Sequence, residues 1–166
     1  KNYFEDKGFK NADVNIVQRD DVNNNEQMIV DIIIDKKEKV KVNKIYITGN
    51  NNLPYKKFTG GFFGGGLLKK TNEKGFKSLF KSKKFIAEKY DEDKDRVIEK
   101  YNELGYRDAI ILADSVVDRG DNTVDVYIDI DEGQEYYVRD INWVGNTVYS
   151  TDALTKVFQM EKGDVY

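Results

Sequence analysis

Ile45-Tyr46-Ile47-Thr48-Gly49-Asn50 returns as Ile141-Asn142-Trp143-Val144-Gly145-Asn146, and this recurrence decides the fold. Gly49 and Gly145 stand 96 positions apart. Two further stretches recur in the same order. Tyr3-Phe4-Glu5-Asp6-Lys7-Gly8-Phe9 matches Tyr101-Asn102-Glu103-Leu104-Gly105-Tyr106, and Val30-Asp31-Ile32-Ile33-Ile34-Asp35 matches Val124-Asp125-Val126-Tyr127-Ile128-Asp129. A period this long is a domain rather than a solenoid repeat. The 166 residues therefore divide into the C-terminal part of one unit (1–38), a complete unit (39–133) and the N-terminal part of a third (134–166). Arrays of this kind present surfaces and seldom carry a single reaction centre.

Within a unit the periodicities name the elements. Val97, Ile98, Tyr101 and Leu104 share one face of a predicted helix over 91–104, with Asp91, Glu92 and Asp93 crowding its positive N-terminal end. Gly105 stops that helix in a left-handed position, and Tyr106 beyond it is placed to pack back on Tyr101. Gly8 and Phe9 read as the same helix end, which puts Lys1 inside a helix. Predicted strands follow at 11–19 and 109–117, each turning through a polar stretch into the hairpin's second strand. In the later copy Val124, Val126, Ile128 and Ile130 alternate with Thr123, Asp125, Tyr127 and Asp129, so one face meets the core and the other water. Each unit opens with a strand whose phase shifts midway, since Val42 and Val138 are out of step with Ile45/Ile47 and Ile141/Trp143. A β-bulge accounts for the shift. Beyond the Gly-Asn turn, helices are predicted near 53–58 and over 150–158, the second with Ser150 and Thr151 as cap candidates. The unit reads β-α-α-β-β.

Composition excludes more than it selects. With no cysteine and no histidine, disulfides, thiolate metal sites, histidine bases and Ser-His or Cys-His catalysis fall together. No run reaches the 18 apolar residues of a membrane-spanning helix. A net charge of −3 argues against nucleic acid as a partner of the whole molecule.

The element order, with Gly-Asn after the first strand, Tyr-x-x-x-Gly-Tyr at the helix end and the alternating final hairpin, resembles the POTRA domain, and most of all the POTRA array of BamA-type outer-membrane assembly factors. The residues that carry the resemblance are Ile45 to Asn50, Phe80-Lys81-Ser82-Lys83-Lys84-Phe85, Tyr90 to Tyr106 with Arg107-Asp108-Ala109, and Val124 to Gly133. It implies an α+β tandem of POTRA units, each a three-stranded mixed sheet covered by two helices. It also implies a non-enzymatic scaffold at the periplasmic face of the bacterial outer membrane, anchored by a C-terminal membrane β-barrel. Such a scaffold receives unfolded outer-membrane β-barrel proteins and docks accessory lipoproteins or periplasmic chaperones. No catalytic residue, cofactor or metal comes with it. A POTRA docking module of a secretion or division protein is the alternative within the fold. Gly60 to Gly66 depart from the pattern by interrupting the first helix.

Two surfaces are candidates for binding. The hairpin's first strand, carrying Ala109, Ile111, Ala113, Ser115 and Val117, is expected at a sheet edge, where unpaired N–H and C=O groups accept an extended peptide. Asp108, Asp114 and Asp118 offer the opposite reading, an edge protected by charge. The second surface is basic: Gly61, Phe62 and Phe63, then Lys69, Lys70, Lys81, Lys83 and Lys84. Gly61-Phe62-Phe63-Gly64 also fits the G-x-x-G of a KH-type single-stranded nucleic-acid binder, although the repeat at 147–158 lacks that loop. A phosphate-loop reading fails because Gly66 and Leu67 stand where a lysine is required. Carboxylate groups such as Asp91/Glu92/Asp93 and Asp129/Asp131 read as helix-end and outward strand charge rather than as metal sites, and Arg96 occupies the glycine position of an EF-hand loop. Trp143 and the tyrosines read as packing groups. The two partial units are complementary in content, so head-to-tail self-association is a further expectation.

Overall fold

The computed structural model describes residues 2–60, 65–71, 73 and 84–166, with backbone alone at Asn24 and Asn25. Its elements are α1 (Asn2–Glu5), β1 (Asp13–Asp21), β2 (Asn24–Asp35), β3 (Lys41–Thr48), α2 (Tyr55–Thr59), α3 (Ala87–Glu103), β4 (Ile110–Asp118), β5 (Thr123–Asp131) and α4 (Thr151–Phe158). β3, α2, α3, β4 and β5 form the complete β-α-α-β-β unit. The sheet order is β3-β5-β4, with β3 parallel to β5 and β4 antiparallel to it.

Alternation along β5 builds the core. Val124, Val126, Ile128 and Ile130 are buried, and α2 and α3 cover them through Phe58, Tyr90, Val97 and Tyr101. Ile98, expected inside, is only half-buried, because the buried stripe of α3 runs through Tyr90, Asp93, Val97 and Tyr101. α3 also begins at Ala87, a turn earlier than the sequence suggests. Asp91 to Asp93 thus lie within the helix rather than at its positive end. Asp93 is fully buried and not a solvated terminal charge. Its Oδ2 accepts from the backbone N–H of Lys70 (2.8 Å) and of Thr71 (2.6 Å), and its Oδ1 meets Arg96 at 2.5 Å. Arg96 in turn donates to the Leu67 carbonyl at 2.9 Å. This ion pair pins the 67–71 segment onto α3, and the hydrogen bonds on both partners offset the cost of burying the charge.

The bulge expected in the opening strand is present, with the β3–β5 register slipping between Val42 and Lys44. Asn43, the extra residue, uses its side chain to hold Asp125 at 2.7 Å, while Arg119 takes the other carboxylate oxygen at 2.8 Å. These contacts, the amide of Asn43 foremost, hold the Asp125 carboxyl below the usual range. The matching stretch 138–144 is not a strand, since no neighbouring strand lies beside it among the described residues. The β1–β2 hairpin forms a separate two-stranded sheet that leaves Ile16, Val30, Ile32, Ile33 and Ile34 exposed.

Helix α3 ends in a Schellman arrangement. Gly105 has φ 87°, and the N–H groups of Gly105 and Tyr106 return to the carbonyls of Asn102 (3.1 Å) and Tyr101 (3.0 Å). Tyr106 packs edge-on against Tyr101 at 6.0 Å. Gly8 and Phe9 repeat the pattern on Glu5 (2.8 Å) and Phe4 (2.9 Å). α4 is capped as expected, Ser150 Oγ accepting from the Ala153 N–H at 3.3 Å.

Successive units meet through one joint used twice. The Val40 N–H donates to the Gly8 carbonyl at 3.0 Å, and the Tyr136 N–H to the Gly105 carbonyl at 2.9 Å. The Phe85 N–H then reaches the Val40 carbonyl (2.8 Å) as the Tyr166 N–H reaches that of Tyr136 (2.9 Å). A cation covers the ring each time: Lys10 lies 5.9 Å from the Phe85 centroid and Arg107 4.5 Å from that of Tyr166. The correspondence shows what the glycine-rich segment is. Val40 and Tyr136 are 96 apart, Phe85 and Tyr166 only 81, so the complete unit carries 15 additional residues between the start of α2 and Phe85. α2 accordingly stops at left-handed Gly60, whereas α4 continues to Phe158.

Gly49 and Gly145 allow a matched test of the parallel pairing. Both have positive φ, 77° and 80°, but a Cβ on Gly49 would stand 1.8 Å from the Ile130 carbonyl oxygen while one on Gly145 meets open space. Gly145→Ala should incur only the left-handed penalty of about 1–2 kcal/mol, and Gly49→Ala should lower the melting temperature distinctly further. Equal shifts in thermal melts of the two variants would contradict the close approach of β3's end to β5.

Candidate functional site

A three-stranded sheet has two edges, and here they differ. The β3 edge is closed by side chains and by the chain itself. Lys84 forms an antiparallel bridge with Lys41, next to the Phe85–Val40 hydrogen bond. Further along, the Ile45 N–H donates to Glu73 Oε1 at 2.6 Å, and the single proton of the Tyr55 hydroxyl lies between the Ile45 carbonyl (2.9 Å) and the same Glu73 oxygen (2.6 Å). Burial, followed by the Glu73 carboxylate, raises the Tyr55 phenol well above its usual range, so it stays a donor.

No segment among the described residues pairs with the outer side of β4. Ile110, Leu112 and Val117 are exposed along it. The charges expected to guard this edge are turned elsewhere: Asp114 pairs with Lys94 of α3 at 3.2 Å, Asp108 accepts the Tyr136 hydroxyl at 2.5 Å, and Asp118 accepts the Gly120 N–H at 2.8 Å.

The five residues singled out on this strand do not share a face. Ala109 lies before β4 and is buried in the core. A second bulge, at Leu112, shifts the register between Ile111 and Ala113. Ile111, opposite Ile130, packs against the core; Ala113, Ser115 and Val117, opposite Asp129, Tyr127 and Asp125, lie on the outer face. The alternation rule fails at that one extra residue.

Of the basic set, Gly61, Phe62, Phe63, Lys81 and Lys83 lie outside the described residues, as does Gly64 of the G-x-x-G match. Lys69 and Lys70 are exposed. Lys84 is not part of a free basic surface: its side chain lies over Gly8, where a Cβ would meet it at 2.8 Å, and its Nζ donates to the Lys7 carbonyl at 3.3 Å. It belongs to the joint between units.

Sequence reasoning missed two carboxylates that position this site. Glu132 is buried and accepts from the Asn52 N–H (2.9 Å), the Asn52 side chain (2.7 Å) and the Tyr101 hydroxyl (2.8 Å). It ties the loop after β3 to α3 at the end of β5. Glu73 closes the competing edge. The signal for Glu132 was its place immediately after the alternating strand.

The fold agrees with the comparisons. The POTRA profile, described as a surface antigen variable number repeat, matches residues 40–133 and again 136–166, and the chain belongs to the POTRA family. Among solved structures it is similar to BamA POTRA3–5 of Haemophilus influenzae, at 17% identity and a TM-score of 0.53, over 99% of this chain and 59% of that one. It is also similar to Haemophilus ducreyi BamA lacking POTRA domains 1–3, at 17% identity and a TM-score of 0.42, over 78% of this chain and 21% of that one. No curated protein matches. The α+β reading, with its three-stranded mixed sheet, and the POTRA resemblance are both borne out.

Replacing Glu73 by alanine should unlock the closed edge, because a buried N–H left without an acceptor costs about 1–3 kcal/mol. The Ile45 amide should then exchange with solvent at least about tenfold faster, with β4 amides unchanged, in NMR-detected hydrogen exchange. An unaltered Ile45 rate would mean that Glu73 does not hold this edge.

Proposed function

We propose that this chain is part of the periplasmic scaffold of an outer-membrane assembly protein of the BamA type, and that its complete unit receives unfolded β-barrel proteins as extended strands along β4. The observation that carries the reading is the asymmetry of the sheet: β3 is sealed by Glu73, Tyr55 and the 84–85 segment, whereas β4 offers its backbone. Main-chain hydrogen bonds give affinity that depends little on guest sequence. A receptor for many different barrel strands needs that tolerance. The family match and the likeness to the BamA POTRA domains support the setting. In this reading the chain also docks accessory proteins, and the parent carries a membrane β-barrel.

The test is a proline scan over 113–117 with a fluorescently labelled barrel-strand peptide. Proline at a position whose N–H faces outward removes a donor and blocks pairing without disturbing the core. Those variants should melt like the parent and lose most of the peptide affinity. Equal affinity for every stably folded variant would show that the peptide binds elsewhere.

A further inference from the structure

The outer face of the sheet carries an aromatic stack that stops one strand short of the open edge. Tyr46 on β3 and Tyr127 on β5 are direct partners across the parallel ladder, with ring centroids 4.7 Å apart and planes 8° from parallel. That separation equals the strand spacing, so the rings stand side by side above their own strands. Lys44 covers the far side of the pair, its Nζ 5.0 Å from the Tyr46 centroid. On the near side the next residue in the row is Ser115 of β4, too small to meet the Tyr127 ring. The neighbouring row runs Thr48, Asp129, Ala113, with the Thr48 hydroxyl on Asp129 at 2.6 Å and again a small residue at the edge. The two low residues leave a concavity of about 160 Å³ between the edge and the taller Tyr127 and Asp129.

We infer that this concavity is a side-chain subsite for the guest strand, and that it selects an extended segment with an aromatic residue in the Ser115 row and a basic residue two positions away in the Ala113 row. The inference rests on the reading of β4 as the receiving edge. A strand added there lies about 4.8 Å beyond β4, and side chains two positions apart fall on the same face. An aromatic ring leaning inward over Ser115 continues the Tyr46–Tyr127 stack at its own spacing. The space suits one ring, since an apolar cavity of about 150 Å³ accepts a benzene. Charge supplies the second half of the preference. Asp129 hydrogen-bonds Thr48 and forms no ion pair among the described residues, so a lysine or arginine reaching over Ala113 meets an uncompensated carboxylate. A leucine or tyrosine at either edge position would close both approaches. Backbone pairing thus gives breadth, and this subsite fixes register, because sliding the guest by one residue turns its outward side chains to the other face.

The test uses ten-residue peptides of alternating threonine and valine carrying, on one face, tyrosine and lysine two positions apart, with versions in which the tyrosine becomes alanine or the lysine becomes serine. Affinities are measured by fluorescence anisotropy at low salt for the parent chain, Tyr127→Thr, Ser115→Leu, Asp129→Asn and a proline variant of β4, with melts to establish that each variant is folded. Loss of the peptide tyrosine should weaken binding to the parent about 3- to 10-fold, the range for one aromatic pair, and should have little effect on either variant. Loss of the lysine should matter in the parent and not in Asp129→Asn. Equal binding of all peptides by the parent, with proline in β4 still blocking them, would overturn the subsite and leave the edge reading intact. Binding that ignores proline in β4 would remove the edge reading and this inference with it.

Discussion

Parallel pairing of β3 with β5 is the constraint on which the rest of the complete unit depends. Two parallel strands cannot be joined by a tight turn, so the chain must leave the end of β3, cross the sheet and return. α2, the 60–86 segment and α3 are that crossing, and the antiparallel β4–β5 hairpin completes it. β5, flanked on both sides, becomes the central strand and reads as the strongest alternation in the sequence. The buried Glu132 carboxylate fixes both ends of the crossing at once, holding Asn52 where the chain leaves the sheet and Tyr101 on the helix that brings it back. Burial and the neighbouring Glu132 side chain raise the Tyr101 phenol far above its usual range, so the phenol keeps its proton and stays a donor.

Much of this was legible in order, because periodicity and turn chemistry are local. The alternation of Val124 to Ile130, the Gly105–Tyr106 helix stop and the phase slip around Asn43 each involve residues within a few positions of one another. What escaped depends on distance along the chain. Asp93 looks like one of three solvated acids until the backbone of Lys70 and Thr71, more than 20 residues earlier, closes over it. Glu73 reaches Ile45 across 28 positions and Glu132 reaches Asn52 across 80. The bulge at Leu112 was hidden for another reason. In the run Ile110-Ile111-Leu112 every residue is apolar, so the pattern carries no phase to be broken. A strand was expected before Gly145 from the recurrence of Ile45 to Asn50, but recurrence supplies only a pattern, and a strand also requires a neighbour.

The two edges share a sheet and differ because the described residues of the crossing segment that reach an edge come back beside β3. Residues 84–85 run against Val40 and Lys41, and Glu73 reaches Ile45, so the chain that links β3 to α3 also seals β3. β4 lies on the far side of β5, and no described residue of that segment pairs with it. The joint between units adds to this arrangement without covering β4: it engages Gly105, Arg107 and Asp108 in the loop before the strand. Repetition of the same joint at Gly8 means that the connection between units is part of the repeat itself.

Reception of a strand along β4 is the central claim, and intermolecular NMR contacts test it most directly. With a bound extended peptide and an isotope-labelled chain, the account predicts backbone-to-backbone nuclear Overhauser effects between the peptide and residues 113–117, and none to residues 41–48. Contacts to β3, or to the β1–β2 hairpin in place of β4, would contradict it.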